Sequence, residues 1–430
     1  MKLALNPGAN GTVDVVIIGA GHAGLAMSYF LTREAIDHVI LERGEVANSW
    51  RAERWDSLKL LTPNWQSRLP GYQYTGNDPD DYMSMVQVAD FIAGYARQIA
   101  APVHSQTEVT CVAEDDQGYR VETSRGSWHC KALVSASGAC NCPAVPSISE
   151  SLPTHIHQMT PMNYRNPGQL PKADVLVVGA SASGLQLAAE IHQSGRPVTL
   201  AVGEHVRLPR RYRGRDIQWW LDTCGLLDEG LDDVDDVNRV RHLPSPQLVG
   251  SDDRHDLNLN LLSDIGVRLA GRLAAVRDDE ILFSGSLRNV CALADLKMNR
   301  LLDHIDDWIE SFGHCSESPC DARPENTRID AKPCLGLNLK TENIQSVIWA
   351  TGYRPDYSWL QLPVLDRKGC LRHEGGVVDS PGVYALGLPF LRRRKSTFIH
   401  GIEDDARELS AHCKSWLLSQ AEKSPLKLAV

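Results

Sequence analysis

Two short stretches carry residue types and spacing that could do chemistry through the backbone alone: Gly19-Ala20-Gly21-His22-Ala23-Gly24 and Gly179-Ala180-Ser181-Ala182-Ser183-Gly184. Small residues in this pattern allow a tight turn, and a helix starting there offers free N–H groups and a positive dipole end. That combination binds the phosphates of a dinucleotide. In the first stretch Gly19 allows the turn, Gly21 lets the backbone approach a pyrophosphate, and Gly24 lets the helix pack closely on the preceding strand. Glu42 follows 18 residues after Gly24, where a carboxylate can accept hydrogen bonds from the ribose hydroxyls of an adenosine.

The elements that must position these turns are legible too. Asp14-Val15-Val16-Ile17-Ile18 reads as a buried parallel strand, residues 25–31 as an amphipathic helix, and His38-Val39-Ile40-Leu41 as a second strand. Asp174-Val175-Leu176-Val177-Val178 and residues 185–192 repeat the first two. Gly19 to Gly179 and Asp14 to Asp174 are both offsets of 160. A duplicated strand–turn–helix unit implies two bound dinucleotides. The same offset sets Val202 opposite Glu42, so the second site lacks the carboxylate that would repel a 2′-phosphate. Arg207, Arg210, Arg211, Arg213 and Arg215 follow, and guanidinium groups pair bidentately with phosphate. This predicts NADPH rather than NADH at the second site, against the plainer reading of a solvated basic loop.

Composition bounds the rest. With 43% apolar and 23% charged residues over 430 positions, the chain can build two or three packed domains and is not a disordered one. No run approaches the ~20 apolar residues of a membrane helix, so no membrane partner is expected. A net charge of −10 argues against nucleic acid. The opening residues lack an apolar signal region, and eleven cysteines at irregular spacing read as reduced thiols, so the cytoplasm is the expected location. Cys140 and Cys142 could form a redox pair, and His314, Cys315, Cys320 and Cys334 a metal knuckle. Neither has the paired C-x2-C spacing of a zinc site, and small buried thiols explain both; no metal is expected.

From this point the chain resembles the flavin-containing monooxygenases, bacterial members included. The resemblance is carried by Leu41-Glu42-Arg43, Asn48-Ser49-Trp50-Arg51, Leu58-Lys59-Leu60-Leu61-Thr62-Pro63, Leu69-Pro70-Gly71, Val134-Ser135-Ala136-Ser137-Gly138, Tyr164-Arg165-Asn166-Pro167, Trp349-Ala350-Thr351-Gly352-Tyr353-Arg354-Pro355 and Gly382-Val383-Tyr384-Ala385-Leu386-Gly387. It implies an α/β fold of two Rossmann-like dinucleotide-binding domains, with the FAD domain discontinuous (1–165 and 336–430) and the NADPH domain (170–335) inserted. A substrate-side insertion falls at about 212–260, and Gln345-Ser346-Val347-Ile348-Trp349 is expected to return the chain to the FAD domain. Besides Glu42 and the two turns (Gly179, Ser181, Ser183 and Gly184 in the second), the resemblance implies cofactor contacts at Arg43, Trp50, Thr62, Val109, Gly138 and Gly387, and at the linker residues Thr351, Gly352 and Tyr353. FAD and NADPH are the implied cofactors. The implied activity is oxygenation of a small molecule at nitrogen, sulfur or an activated carbon, with O2 activated as a flavin C4a-hydroperoxide. A homodimer is the candidate assembly.

One family signature is broken: anchored on Tyr164, its Phe, Gly and His positions hold Thr154, Ile156 and Thr160. Baeyer–Villiger oxidation is therefore not expected. Asn64 is the candidate catalytic amide beside the flavin, or else a turn residue after Pro63. Trp50 and Trp65 are either pocket walls or core aromatics. The acidic run Asp228, Asp232, Asp233, Asp235 and Asp236 either steers a cationic amine or is solvated, and of Trp219 and Trp220 at most one can face a pocket. Two other readings stay open: an NADPH-dependent disulfide or quinone reductase, and a non-catalytic redox-sensing flavoprotein.

Overall fold

The computed structural model describes residues 11–312 and 323–423. Two sheets, each built around parallel strands, organise it. In the first, β1 (Gly11–Ile18) lies between β2 (His38–Leu41) and β3 (Gly126–Ser135), with Val103–His104 beyond β2 and β9 (Val383–Ala385) beyond β3. In the second, the order is β4 (His157–Met159), β8 (Ile344–Trp349), β5 (Asp174–Val178), β6 (Val198–Ala201), β7 (Arg268–Ala270), every pair parallel. The central strands read as unbroken apolar runs because layers cover both of their faces: Val15 to Ile18 and Val175 to Val178 are all buried. α1 (His22–Arg33) and α2 (Ala182–Gln193) start directly after β1 and β5.

The 160-residue repeat survives at the level of single hydrogen bonds. Gly19 N–H donates to Leu41 O at 2.8 Å and Gly179 N–H to Ala201 O at 2.9 Å. Glu42 N–H reaches His104 O, and its counterpart Val202 N–H reaches Ala270 O. Each unit thus ends its second strand against the same neighbour.

The expected boundaries need correction. β4 and β8 both belong to the second sheet, so that unit spans β4 to β8 rather than 170–335. Gln345 to Trp349 does not complete the first sheet. It pairs instead with β5, Val177 opposite Ile348. A short apolar run suits the interior of either parallel sheet, so periodicity alone cannot assign it. The two passages between units run side by side: Cys142–Pro143 pairs antiparallel with Tyr353–Arg354, and Ala144 N–H donates to Gly352 O.

α3 (Leu287–Phe312) buries Leu287, Cys291, Ala294, Met298, Leu302, Ile305 and Ile309, a 3.6-residue stripe. Trp219 and Trp220 pack toward this helix rather than line a pocket. Trp220 is buried and donates Nε1–H to Tyr212 O, and its ring meets that of Trp308. Part of the acidic stretch holds structure together. Glu229 pairs with Arg394, Asp228 with Lys395, and Asp233 caps Gly230. With Arg394 N–H on Glu229 O and Lys395 N–H on Leu227 O, the insertion is clamped to the loop following Gly387. Asp228 is paired with Lys395, so steering of a cationic amine by Asp228 has no basis in this arrangement. The last helix, α4 (Ile402–Lys423), packs across α1.

Candidate cofactor and active site

At the first turn Gly19 has φ +107, a conformation side chains avoid, and a Cβ there would sit 2.5 Å from Ala136 O. Gly24 is closer still: its Cβ would lie 2.0 Å from Gly19 O. Gly21 differs, being extended (φ −80, ψ −178), and its Cβ would meet nothing within 4 Å. The three glycines therefore do three separate jobs, turn, ligand space and packing. Glu42 is buried, with Oε2 accepting from Ala20 N–H at 2.8 Å and Oε1 from Gly44 N–H at 2.9 Å. Each carboxylate oxygen has a second lone pair, and Glu42 lines a cavity with Gly19, Arg43, Ser49, Val109, Ser137, Asn141, Asp356 and Trp359. That set fits the adenosine half of FAD.

The second turn repeats the geometry. Gly179 has φ +109, a Cβ on Gly184 would fall 1.8 Å from Gly179 O, and Ser181 holds the extended backbone of Gly21. Its cavity, about 690 Å³, is lined by residues 178–183, Gly203, Glu204, Arg241, His242 and Arg272. The same cavity reaches Ala139, Cys140, Thr351, Gly352, Tyr353 and Pro389, so it joins the second turn to the passages between the two sheets. Tyr353 borders it with Ser183 as hydrogen-bond partner, and burial raises its phenol pKa, which keeps the ring neutral. Gly138 and Gly352 have positive φ and open space around their Cβ positions. Thr351 Oγ1 donates to Ala144 O and so fixes the crossover.

A further set of polar atoms is buried without partners. Gln66 is 1% exposed, yet neither its Oε1 nor its Nε2 has a partner. Asn64 Oδ1, Ser67 Oγ, His22 Nε2 and His400 Nε2 are likewise shielded and unpartnered. Arg68 lies near enough to His400 to perturb it, and His22 bonds the backbone of Thr397, so the two histidines and the segment after Gln66 adjoin the loop after Gly387. Gly387 itself approaches Ala23. Unpaired buried polar atoms are costly, and a polar ring system such as flavin is the kind of ligand that would satisfy them.

Several predicted residues lie elsewhere. Arg207, 5% exposed, pairs with Asp295 and donates to Glu325 O. Arg210, 2% exposed, pairs with Asp216 at 2.5 Å, donates to Leu61 O and lies over the Tyr82 ring. Arg211 points along its own hairpin to Gly214 O. None of the three lines the cavity of the second turn. The correction is physical: the charges of Arg207 and Arg210 are already met by Asp295 and Asp216, and Arg211 bonds only within its hairpin. Arg43 lines the first cavity but is paired with Glu53. Trp50 is half-buried against the first core and Thr62 is buried. Asn64 opens a short turn and donates to Asp78 O at 2.9 Å, leaving Oδ1 free. Trp65 lies in the same turn. Among the described residues no cluster of His, Cys, Asp or Glu suits a metal; His314, Cys315 and Cys320 lie outside the described residues.

Spacing could not find Arg272. It follows β7, the strand beside β6, and only the sheet order brings it to the edge of the second site. It has no carboxylate partner among the described residues, unlike Arg207 and Arg210. We expect Arg272→Ala to raise the KM for NADPH about tenfold and leave that for NADH nearly unchanged, the effect of losing one charge-assisted phosphate contact. Arg207→Ala should instead lower thermal stability, by the few kcal/mol of a broken buried ion pair, without shifting the cofactor ratio. Steady-state kinetics with both nucleotides, beside thermal melts, tests the pair.

Paired turns and a connecting cavity define a two-dinucleotide flavoprotein oxidoreductase. The family model for pyridine nucleotide-disulphide oxidoreductases matches residues 16–223. A CzcO-like oxidoreductase of Geobacillus kaustophilus is 32% identical over 400 residues, covering 92% of this chain and 97% of that protein. The indole-3-pyruvate monooxygenase YUCCA6 of Arabidopsis thaliana is 30% identical over 210 residues, 46% of this chain and 50% of its own. Among solved structures, a flavin-containing monooxygenase from Stenotrophomonas maltophilia superposes with a TM-score of 0.65 at 20% identity, covering 94% of this chain and 99% of its own. The chain belongs to the bacterial CzcO-like oxidoreductases. No described helix is long and apolar enough to cross a membrane.

Proposed function

We propose that this chain is an FAD- and NADPH-dependent monooxygenase that transfers one oxygen atom of O2 to a small molecule, at nitrogen, sulfur or an activated carbon. The carrying observation is the 690 Å³ cavity that touches the second glycine turn and the loop after Gly387 at once. Bound FAD supplies hydride acceptance from NADPH and the activation of O2. The chain's own residues supply position and dryness. Glu42 and the first turn would hold the adenosine and pyrophosphate of FAD, and residues 181–183 the pyrophosphate of NADPH. Ala139, Pro146, Ile148 and Pro389 give the cavity a stretch of apolar wall, which limits water beside the reacting centre. Tyr353, neutral and bonded to Ser183, acts as wall rather than base. An activated carbon stays among the targets because YUCCA6 is named for indole-3-pyruvate. The test is a screen of amines, sulfides, ketones and aromatic carbons for stimulated NADPH oxidation. A hit must carry isotope from labelled O2 in its product; incorporation from water instead would end the proposal.

One observation favours a second reading. Cys140 lines the cavity and Cys142 is two residues on, as a disulfide reductase would need. We expect the Cys140→Ser, Cys142→Ser double variant to oxidise NADPH within about twofold of the parent, since the proposed chemistry draws on no thiol. Loss of turnover with FAD still bound would move the assignment to the reductase.

A further inference from the structure

We propose that Gln66 and His22 are recognition residues for the flavin nucleotide, held polar and unpaired within the protein so that the ligand completes their hydrogen bonds. This rests on the FAD assignment. Gln66 ends the short turn Asn64–Gln66, is 1% exposed, and has neither amide atom bonded. An amide offers a donor and an acceptor side by side, the complement of a ring edge that alternates N–H and C=O. Native interiors rarely leave such a group unmet without a functional reason.

His22 stands between Gly21 and Gly24 of the first turn. Its ring bonds the backbone of Thr397, and its Nε2 is shielded and unpartnered. The bond to a carbonyl takes Nδ1–H, so Nε2 presents a lone pair. Burial lowers its pKa to about 4, which keeps that lone pair available. A hydroxyl or ring N–H of the nucleotide is the matching donor. Gly387, whose Cβ position lies 3.0 Å from Ala23 Cβ, brings the loop carrying Thr397 onto this same turn.

The test separates ligand recognition from a structural role by sign. In the apoprotein, Gln66→Met removes a buried group that has no partner, so its melting temperature should equal or exceed the parent's. Its FAD dissociation constant, from flavin fluorescence titration, should rise about tenfold or more. For His22, Gln restores an acceptor at the ε position while Asn restores only the donor at the δ position. His22→Gln should bind FAD near the parent level, and His22→Asn about tenfold worse. Unchanged FAD affinity in Gln66→Met overturns the proposal. So does a fall in its apoprotein stability together with FAD affinity, and so does rescue by Asn rather than Gln. The titration uses neither NADPH nor O2, so a failure of monooxygenation leaves it standing, and its own failure leaves monooxygenation untouched.

Discussion

Gly24→Ala should cost the apoprotein about 3 kcal/mol, the upper range for overpacking a close contact, because its methyl would sit 2.0 Å from Gly19 O. Backbone cannot yield there without parting α1 from β1. Gly21→Ala, three residues away, should leave the apoprotein's melting temperature within a degree or two of the parent, since its methyl meets nothing within 4 Å and its backbone is extended. What it enters is the path of the pyrophosphate, so FAD affinity should fall about tenfold or more. Ser181 already holds the same backbone in the second turn, which demonstrates that the conformation needs no glycine. Melts of the two apoproteins and FAD titration of Gly21→Ala check this. Equal destabilisation in both variants would mean that the two glycines share one structural job.

The second large effect is at Glu42. Replacing it with Gln keeps the shape but turns an acceptor into a donor facing either Ala20 N–H or Gly44 N–H, both now satisfied by carboxylate oxygens. The first turn loses an anchor and the ribose loses a charged acceptor. Hydrogen bonds to charged groups are worth about 1.5–3 kcal/mol each, so FAD affinity should drop about 10- to 100-fold, and the purified variant should emerge largely free of flavin. Absorbance of the purified protein, followed by titration with FAD, measures it. A variant that keeps stoichiometric flavin would place the adenosine elsewhere.

How much of this was legible from residues alone divides along a physical line. Both turns, β2, β5 and the position opposite Glu42 are local features: a few consecutive apolar residues, glycines at fixed spacing and an offset of 160. They appear in the structure where the sequence sets them. The sheet membership of β8 is not local, since Val347, Ile348 and Trp349 would bury equally well in either sheet, and only pairing with β5 decides. The arginine cluster fails for a related reason. Spacing places Arg207 and Arg210 after β6, but their partners, Asp295 on α3 and Asp216, are fixed by tertiary packing that sequence distance does not reveal. Arg272 reaches the cavity only through the neighbour relation of β6 and β7. Gln66 carried no motif at all. Its signal is the absence of a partner in a packed interior, a property that exists only after folding.

The most direct test of the central claim is to mix flavin-loaded protein with NADPH under anaerobic conditions and then admit O2, following the visible flavin band and hydrogen peroxide. The account predicts bleaching by NADPH, faster than by NADH, then full recovery of the band on O2 with peroxide equimolar to the NADPH consumed when no substrate is present. A band that NADPH leaves unbleached, or electrons that pass to Cys140 and Cys142 as newly titratable thiols, would contradict it.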